Sequence, residues 1–295
     1  MIDLHIHTND SSDGQHSPRE IFTMAKRIGL QAIAFADHNS IGSVEEGMSL
    51  SREFSLEFVP AIELNTIYQE QDLHLLGYYL DYQSKSLKEW LISQLEAKKQ
   101  QAKGRLRRLK ELGFALDQED LERFSPGKIP AGSTFLQAII SREENKADPR
   151  LKPYTNGERS DSPYFNFYLD YLRSGKSAFV PLKAADTIKV IGVVKGFGGI
   201  PILAHPYDIN TEIIIKLIEA GLCGLEAYSS YHSIEQCEYF RRLAEQQGIL
   251  TTAGSDFHGY LYKPDVHLGG ITGNSYQLLK ELKSFAREQE ATVPV

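Results

Sequence analysis

Short apolar runs, each carrying or ending in a residue able to bind a metal or move a proton, recur along this chain. Stretches patterned as helices separate them. Residues 2–6, 31–36, 58–64, 73–80, 200–204, 224–228 and 249–254 are short, apolar and bounded by turn residues, and they read as strands. Strands alternating with helices at this spacing predict βα units and a parallel sheet or barrel. In a barrel the C-terminal ends of the strands meet at one rim, where such folds place their chemistry. His7, His38, His205, Asp256 and His258 stand at or just past such ends.

The first run, Ile2-Asp3-Leu4-His5-Ile6-His7, sets the theme. Side chains two apart on a strand point the same way, about 6.6 Å apart. His5 and His7 are therefore expected on one face, with Ile2, Leu4 and Ile6 on the other. Converging imidazoles repel when protonated, but a divalent ion turns the same convergence into a binding site. Ser17-Pro18-Arg19-Glu20 reads as a capped helix start, and Gly29 as its stop. The run 31–36 ends in Asp37-His38, and a second helix is expected over 43–54. The third strand holds Glu63 among apolar neighbours, where a carboxylate costs several kcal/mol unless paired or metal-bound. His74 sits in the fourth. Further helices are expected near 185–195, 211–221, 234–247 and 275–289.

From about Ser84 the texture changes. A long charged helix with Leu87, Leu91, Leu95, Leu106, Leu109 and Leu112 runs toward Gly113, and a polar stretch follows over 142–163. This segment contains no histidine as far as Leu182. It reads as a mostly helical insert over 84–183, with a mobile loop over 148–162, between two parts of a barrel, 1–83 and 184–295.

A chain of 295 residues with 41% hydrophobic content can build one barrel with a core. Its net charge of −7 and pI near 5.8 argue against holding long nucleic acid by counterion release. Two cysteines, Cys223 and Cys237, make no disulfide framework, and no apolar run approaches the ~20 residues of a membrane span. A soluble cytoplasmic protein is expected.

Six of the nine histidines (His5, His7, His38, His74, His205 and His258), together with Asp13, Glu63 and Asp256, fall at strand ends or adjoining loops. Such N and O ligands without cysteine suit Mn, Zn or Fe, and nine candidates exceed what one ion uses. Two or three divalent ions sharing Glu63 are expected. Clustered ions suit in-line attack on phosphorus.

These segments resemble the PHP (polymerase and histidinol phosphatase) metal-dependent phosphoesterases. The matching stretches are Asp3-Leu4-His5-Ile6-His7-Thr8, Ser12-Asp13-Gly14, Ala36-Asp37-His38-Asn39-Ser40-Ile41-Gly42, Pro60-Ala61-Ile62-Glu63, His74-Leu75-Leu76-Gly77, Ile202-Leu203-Ala204-His205-Pro206 and Gly254-Ser255-Asp256-Phe257-His258-Gly259. The resemblance implies a distorted (β/α)7 TIM-like barrel with a trinuclear centre. It places His5, His7, Glu63 and Asp256 on one ion, Asp13, His38 and His258 on a second, and Glu63, His74 and His205 on a third. A metal-activated hydroxide would attack phosphorus, with His258 or Asp256 managing protons. Motif order and the insert look most like the subgroup acting on nucleoside 3',5'-bisphosphates and RNA 5' ends, so the expected partner is a small phosphorylated substrate of nucleotide type.

Where many members carry a Gly-Arg-Pro-His-like motif, this chain reads Gly132-Ser133-Thr134-Phe135 and lacks the arginine clamp. Ser133 and Thr134 are candidate phosphate contacts in its place, with Lys128, Arg142 or Lys183 as substitute cations. His232 and Lys263 are further substrate candidates, and His16 and His267 read as surface or loop residues. Asp10 competes with Asp13 for the loop ligand, and Tyr78 and Tyr79 read as packing residues. Rival readings are a histidinol-phosphate-type phosphomonoesterase and a non-catalytic PHP module that binds metal or a partner.

Overall fold

Seven strands in the order of the sequence wrap into a nearly closed barrel in a computed structural model that describes residues 1–182 and 185–292. They are β1 (Ile2–Ile6), β2 (Ala32–Phe35), β3 (Glu57–Tyr68), β4 (Gln71–Tyr78), β5 (Ile200–Leu203), β6 (Gly224–Ser229) and β7 (Leu250–Gly254). Bonds from Asp256 N to His5 O (2.8 Å) and from His7 N to Phe257 O (2.9 Å) tie the end of β7 to β1. Around the outside run α1 (Pro18–Arg27), α2 (Val44–Phe54), α8 (Thr187–Gly196), α9 (Thr211–Glu219) and α10 (Ile234–Gln247). The last helix, α11 (Tyr276–Thr292), sends Leu279 and Leu282 into a core cluster that contains Ile2, Val59, Leu76 and Ile202. Among the described residues no helix is long and apolar enough to cross a membrane.

Local signals explain the helix boundaries. Ser17 and Glu20 close a reciprocal capping box at the start of α1, and Gly29 leaves the helix at φ +77°. Ser233 and Gln236 do the same for α10, which ends at Gly248, φ +63°.

Two features depart from the expected regularity. The sheet is not all parallel, because β4 runs antiparallel to both β3 and β5. Only Gln69 and Glu70 separate β3 from β4, both at positive φ (+48° and +66°), and a two-residue link can make only a hairpin. Nor does β1 alternate simply. Asp3 pairs with Ile33 and Ile6 with Phe35, so Leu4 and His5 together stand opposite Ala34, a bulge. Ile2 and Leu4 therefore join the cluster with Ala32, Ala34, Val59 and Ala61, whereas Ile6 packs with Ile21, Phe22 and Ile33.

After β4 the chain enters α3 (Lys85–Glu111), a single helix of 27 residues. Its Leu87 and Leu91 pack against the barrel's outer core, and its Ala102 and Leu109 belong to a separate cluster with Phe114, Phe135 and Phe167. That second cluster is completed by α4 (Gln118–Phe124), α5 (Gly132–Ser141), α6 (Lys152–Asn156), α7 (Pro163–Phe167) and a π-turn at Tyr168–Leu172. The stretch read as a loop over 148–162 holds helical turns. Arg150 grips Asp148 and donates to Leu112 O (2.7 Å), with its guanidinium 4.1 Å from the Phe114 ring centre. The expected insert boundary at 183/184, with Lys183, lies outside the described residues.

Candidate metal centre

Glu63 is the hub. It projects from β3 with no exposed surface, and five imidazoles surround its carboxylate. Oε2 lies 2.9 Å from His38 Nδ1, 3.2 Å from His7 Nε2 and 3.4 Å from His5 Nε2. Oε1 lies 2.8 Å from His74 Nδ1 and 3.2 Å from His205 Nε2. Asp256, just past β7, brings Oδ1 to 3.0 Å from His7 Nε2, 3.3 Å from His5 Nε2 and 3.4 Å from His258 Nδ1. Asp13 Oδ2 stands 3.7 Å from both His38 Nε2 and His258 Nε2. The bulge in β1 and the reversal of β4 make this possible: one turns His5 to the cluster, and the other brings His74 to the rim from the start of a strand. His205 and Asp256 hold left-handed backbone, φ +27° and +57°, which costs of order 1–3 kcal/mol each and is characteristic of functional sites.

Three groups offer ligand atoms within 4.8 Å of one another: His5, His7, Glu63 and Asp256; His7, Asp13, His38 and His258; and His38, Glu63 and His74. All nine residues read from the sequence come together. These groups add His7 to the Asp13 set and put His38 with Glu63 and His74; His205, which the resemblance implies there, stands 3.2 Å from Glu63 Oε1 but is not in that group. Asp10 lies aside, accepting from Ser40 Oγ.

The chemistry of these donors fits a cation. Glu63 Oε2, Asp256 Oδ1, His38 Nδ1 and His74 Nδ1 are buried and make no aligned hydrogen bond, although they converge to about 3 Å. Burial alone would lower the His7 pKa, but the Asp256 and Glu63 carboxylates against its Nε2 raise it to about 9. His5 also rises well above its ordinary value, against burial, through Glu226, Glu63 and Asp256. Burial lowers His38 to about 4 and holds His258 well below the usual imidazole range. Glu63 and Asp256 stay far below the carboxylate range despite burial, through the imidazoles and, for Asp256, Lys263. The converging carboxylates thus favour positive charge at this point.

The PHP domain family matches residues 3–145. The chain is 26% identical over 263 residues to a 3',5'-nucleoside bisphosphate phosphatase of Chromobacterium violaceum, covering 87% of each. It is 27% identical over 262 residues to a 5'-3' exoribonuclease of Haemophilus influenzae, covering 87% of this chain and 89% of that one. An amidohydrolase of Chromobacterium violaceum, solved with bound sulfate and no metal, shares the fold with a TM-score of 0.79 at 22% identity over 96% of each chain. The match to the PHP domain thus spans just under half of the chain. The two relatives are named as a phosphatase and an exoribonuclease, both hydrolases of phosphate ester bonds.

Several residues that serve this cluster escaped the sequence reading. Glu226 on β6 accepts from His5 Nδ1 (3.0 Å) and His205 N (2.9 Å), fixing both ligands from behind. It carries the same signal as Glu63, a lone carboxylate in an apolar strand. Tyr231 donates to Asp256 Oδ2 (2.7 Å), which Lys263 Nζ also reaches (2.5 Å). Asn65 links His74 Nε2 (2.8 Å) to Lys98 Nζ (2.6 Å). Asp3 and Asp37 are struts: Asp3 accepts from Ser255 and Gly269, and Asp37 from Thr8 and Ser43.

A cavity opens over the cluster, with α3, α5 and α7 as its far wall. Lys263 and Ser133 line it. Thr134 is spent on its own helix, its Oγ1 accepting from Ala131 N (3.2 Å). His232 packs on Phe240 with Nδ1 on Ala227 O (2.8 Å), which makes it a structural residue rather than a phosphate contact. Two of the substitute cations are engaged elsewhere: Lys128 with the carbonyls of Asn9 and Ser11, and Arg142 with Asp117 and Asp120. His16 stacks on Phe257, and His267 lies by Tyr260.

Proposed function

We propose that this PHP protein hydrolyses a small phosphorylated nucleotide, either a nucleoside 3',5'-bisphosphate or a short 5'-phosphorylated oligonucleotide, with two or three divalent ions of Mn, Zn or Fe. One observation carries the nucleotide reading: aromatic side chains from both parts of the chain wall the cavity beside the cluster. Phe165 of the insert lies 5.3 Å from Tyr231, which is 5.5 Å from Tyr207, and Tyr164 of the insert lies 6.1 Å from Tyr262. Flat rings lining a phosphate site suit a nucleobase, since stacking contributes about 1–3 kcal/mol per base. The names of the relatives agree in class.

In this reading His5, His7, Glu63 and Asp256 hold one ion, Asp13, His38 and His258 a second, and Glu63, His74 and His205 a third. The ions would supply Lewis acidity and a water acidified to a pKa of about 7. The protein's own groups do the rest. Glu63 bridges, and Asp256 is kept ionised by Lys263 and Tyr231. His258 donates Nδ1–H to Asp256 O (2.8 Å), which turns its Nε2 toward Asp13 and the second ion. The insert over 84–183 serves as the substrate-bearing cap.

The test is a turnover screen with Mn-supplemented protein on p-nitrophenyl phosphate, adenosine 3',5'-bisphosphate, a 5'-phosphorylated trinucleotide and histidinol phosphate. Preference for the two nucleotides is expected. Preference for histidinol phosphate would overturn the nucleotide reading.

A further inference from the structure

The arginine that is missing from the 132–135 segment has a replacement on another element. Lys98 and Arg105 stand seven residues apart on α3, two helical turns, and therefore share one face, which lines the cavity. Among the described residues neither has a carboxylate within 4 Å, although both are part-buried; Lys98 donates to Asn65 Oδ1, and Arg105, whose Nε is enclosed without a hydrogen-bond partner, feels the Asp72 carboxylate of the same cavity only from farther off. Burying unpaired cations is costly unless an anion arrives to meet them.

Beside them lies the start of α5. Its N-cap is Ala131, whose side chain can accept nothing, so the N–H groups of Gly132 and Ser133, two residues that line the cavity, have no side-chain cap. Ser133, 8% exposed, lines the same wall with an Oγ that has no partner. The two features adjoin: Arg105 Nη2 reaches Leu172 O at 3.5 Å, and Gly132 packs on the Leu172 side chain. Lys98 meets the metal centre through Asn65 and His74, which places the basic face between the ions and the insert.

We infer that Lys98, Arg105, Ser133 and the N-terminus of α5 form a second anion subsite, which takes the non-scissile phosphate of a doubly phosphorylated substrate. The inference rests on the nucleotide phosphatase reading and narrows it to bisphosphates, or oligonucleotides whose next phosphate reaches that wall.

The test compares Mn-loaded wild type, Arg105→Met, Lys98→Met and Arg107→Met on adenosine 3',5'-bisphosphate and on the two adenosine monophosphates. Arg107 is a control on the exposed side of α3, paired with Glu111. Wild type and Arg107→Met should prefer the bisphosphate in kcat/KM, and each cavity variant should cut that preference by about 10- to 100-fold, mostly through KM. Arg105→Lys should recover part of it. A preference that survives both Met variants, or a loss that is equal on mono- and bisphosphates, overturns the subsite. If a melt shows that Arg105→Met is unfolded, Ser133→Ala is read instead, with a loss of several-fold expected on the bisphosphate alone. Wild type that turns over p-nitrophenyl phosphate but no nucleotide defeats the nucleotide reading. The subsite then stands or falls on calorimetric titration with inorganic phosphate, where one site fewer per chain in the Lys98→Met variant supports it and equal stoichiometry overturns it.

Discussion

The residue that most deserves mutation at the centre is one that binds nothing itself. Glu226 accepts from His5 Nδ1 and so directs Nε2 toward the cluster. Glu226→Gln keeps the shape but removes the charge, and metal affinity should fall about 10- to 100-fold by chelator competition, with little change in the melt of the metal-free protein. Gly254 makes the contact possible, because a Cβ there would stand 2.2 Å from His5 Cβ and 2.4 Å from Glu226 Oε1. Acidity gives a third expectation. Metal-free His7 keeps its proton up to about pH 9, and a cation must displace it. Affinity should therefore fall as pH drops below 9, by about tenfold per pH unit for each proton displaced, which calorimetry in buffers of different ionisation enthalpy will count. A pH-independent affinity would show that His7 is not a ligand. The nine candidate ligands were legible in the sequence because each is a lone polar residue inside an apolar strand, as Glu63, His74 and His5 are, or stands just past one or in the loop beyond it, a position that local pattern reveals. Tyr231 and Lys98 were not, because one lies past a strand end in a run of ordinary polar residues and the other sits in a helix full of charges.

At the scale of elements, the alternation of strands and helices was readable and the direction of β4 was not, although its cause is two residues long. Gln69 and Glu70 both hold left-handed backbone, at a cost of roughly 1 kcal/mol each for side chains of this kind. Replacing the pair by Asn-Gly, which suits this turn, should raise the melting temperature by a few degrees without touching activity. The bulge in β1 was equally hidden, since a two-residue period assumes regular pairing. Tyr78 supports it from across the barrel, its hydroxyl donating to Leu4 O at 2.9 Å. Tyr78→Phe should destabilise by about 1–3 kcal/mol in urea unfolding, if that buried carbonyl is left short of a donor. Packing is the tighter constraint on α2, where a Cβ on Gly47 would sit 2.4 Å from Cζ of the buried Phe58 ring; Gly47→Ala should cost about 1–3 kcal/mol by the same measurement.

At the scale of the molecule, the candidate ligands and the far wall of the cavity come from different cores. Every candidate metal ligand lies on the barrel, as does the cavity's Lys263, whereas Lys98, Arg105 and Arg173 come from α3 and the segment behind it. Chelation should therefore lower the melting temperature of the barrel, and adding back an ion at 100 times its Kd should restore about 2.7 kcal/mol. The reversed strand has one more consequence. Because β4 descends from the rim, α3 begins at the foot of the barrel and must climb its wall, about 40 Å of helix, before it can reach over the centre. A helix that long is a ruler with a phase: removing one residue between Leu91 and Lys98 would swing Lys98 and Arg105 about 100° around the axis and aim them at solvent, whereas the ions below would keep every ligand. On the proposed subsite, substrate choice would thus be held by a length, and metal binding by a rim.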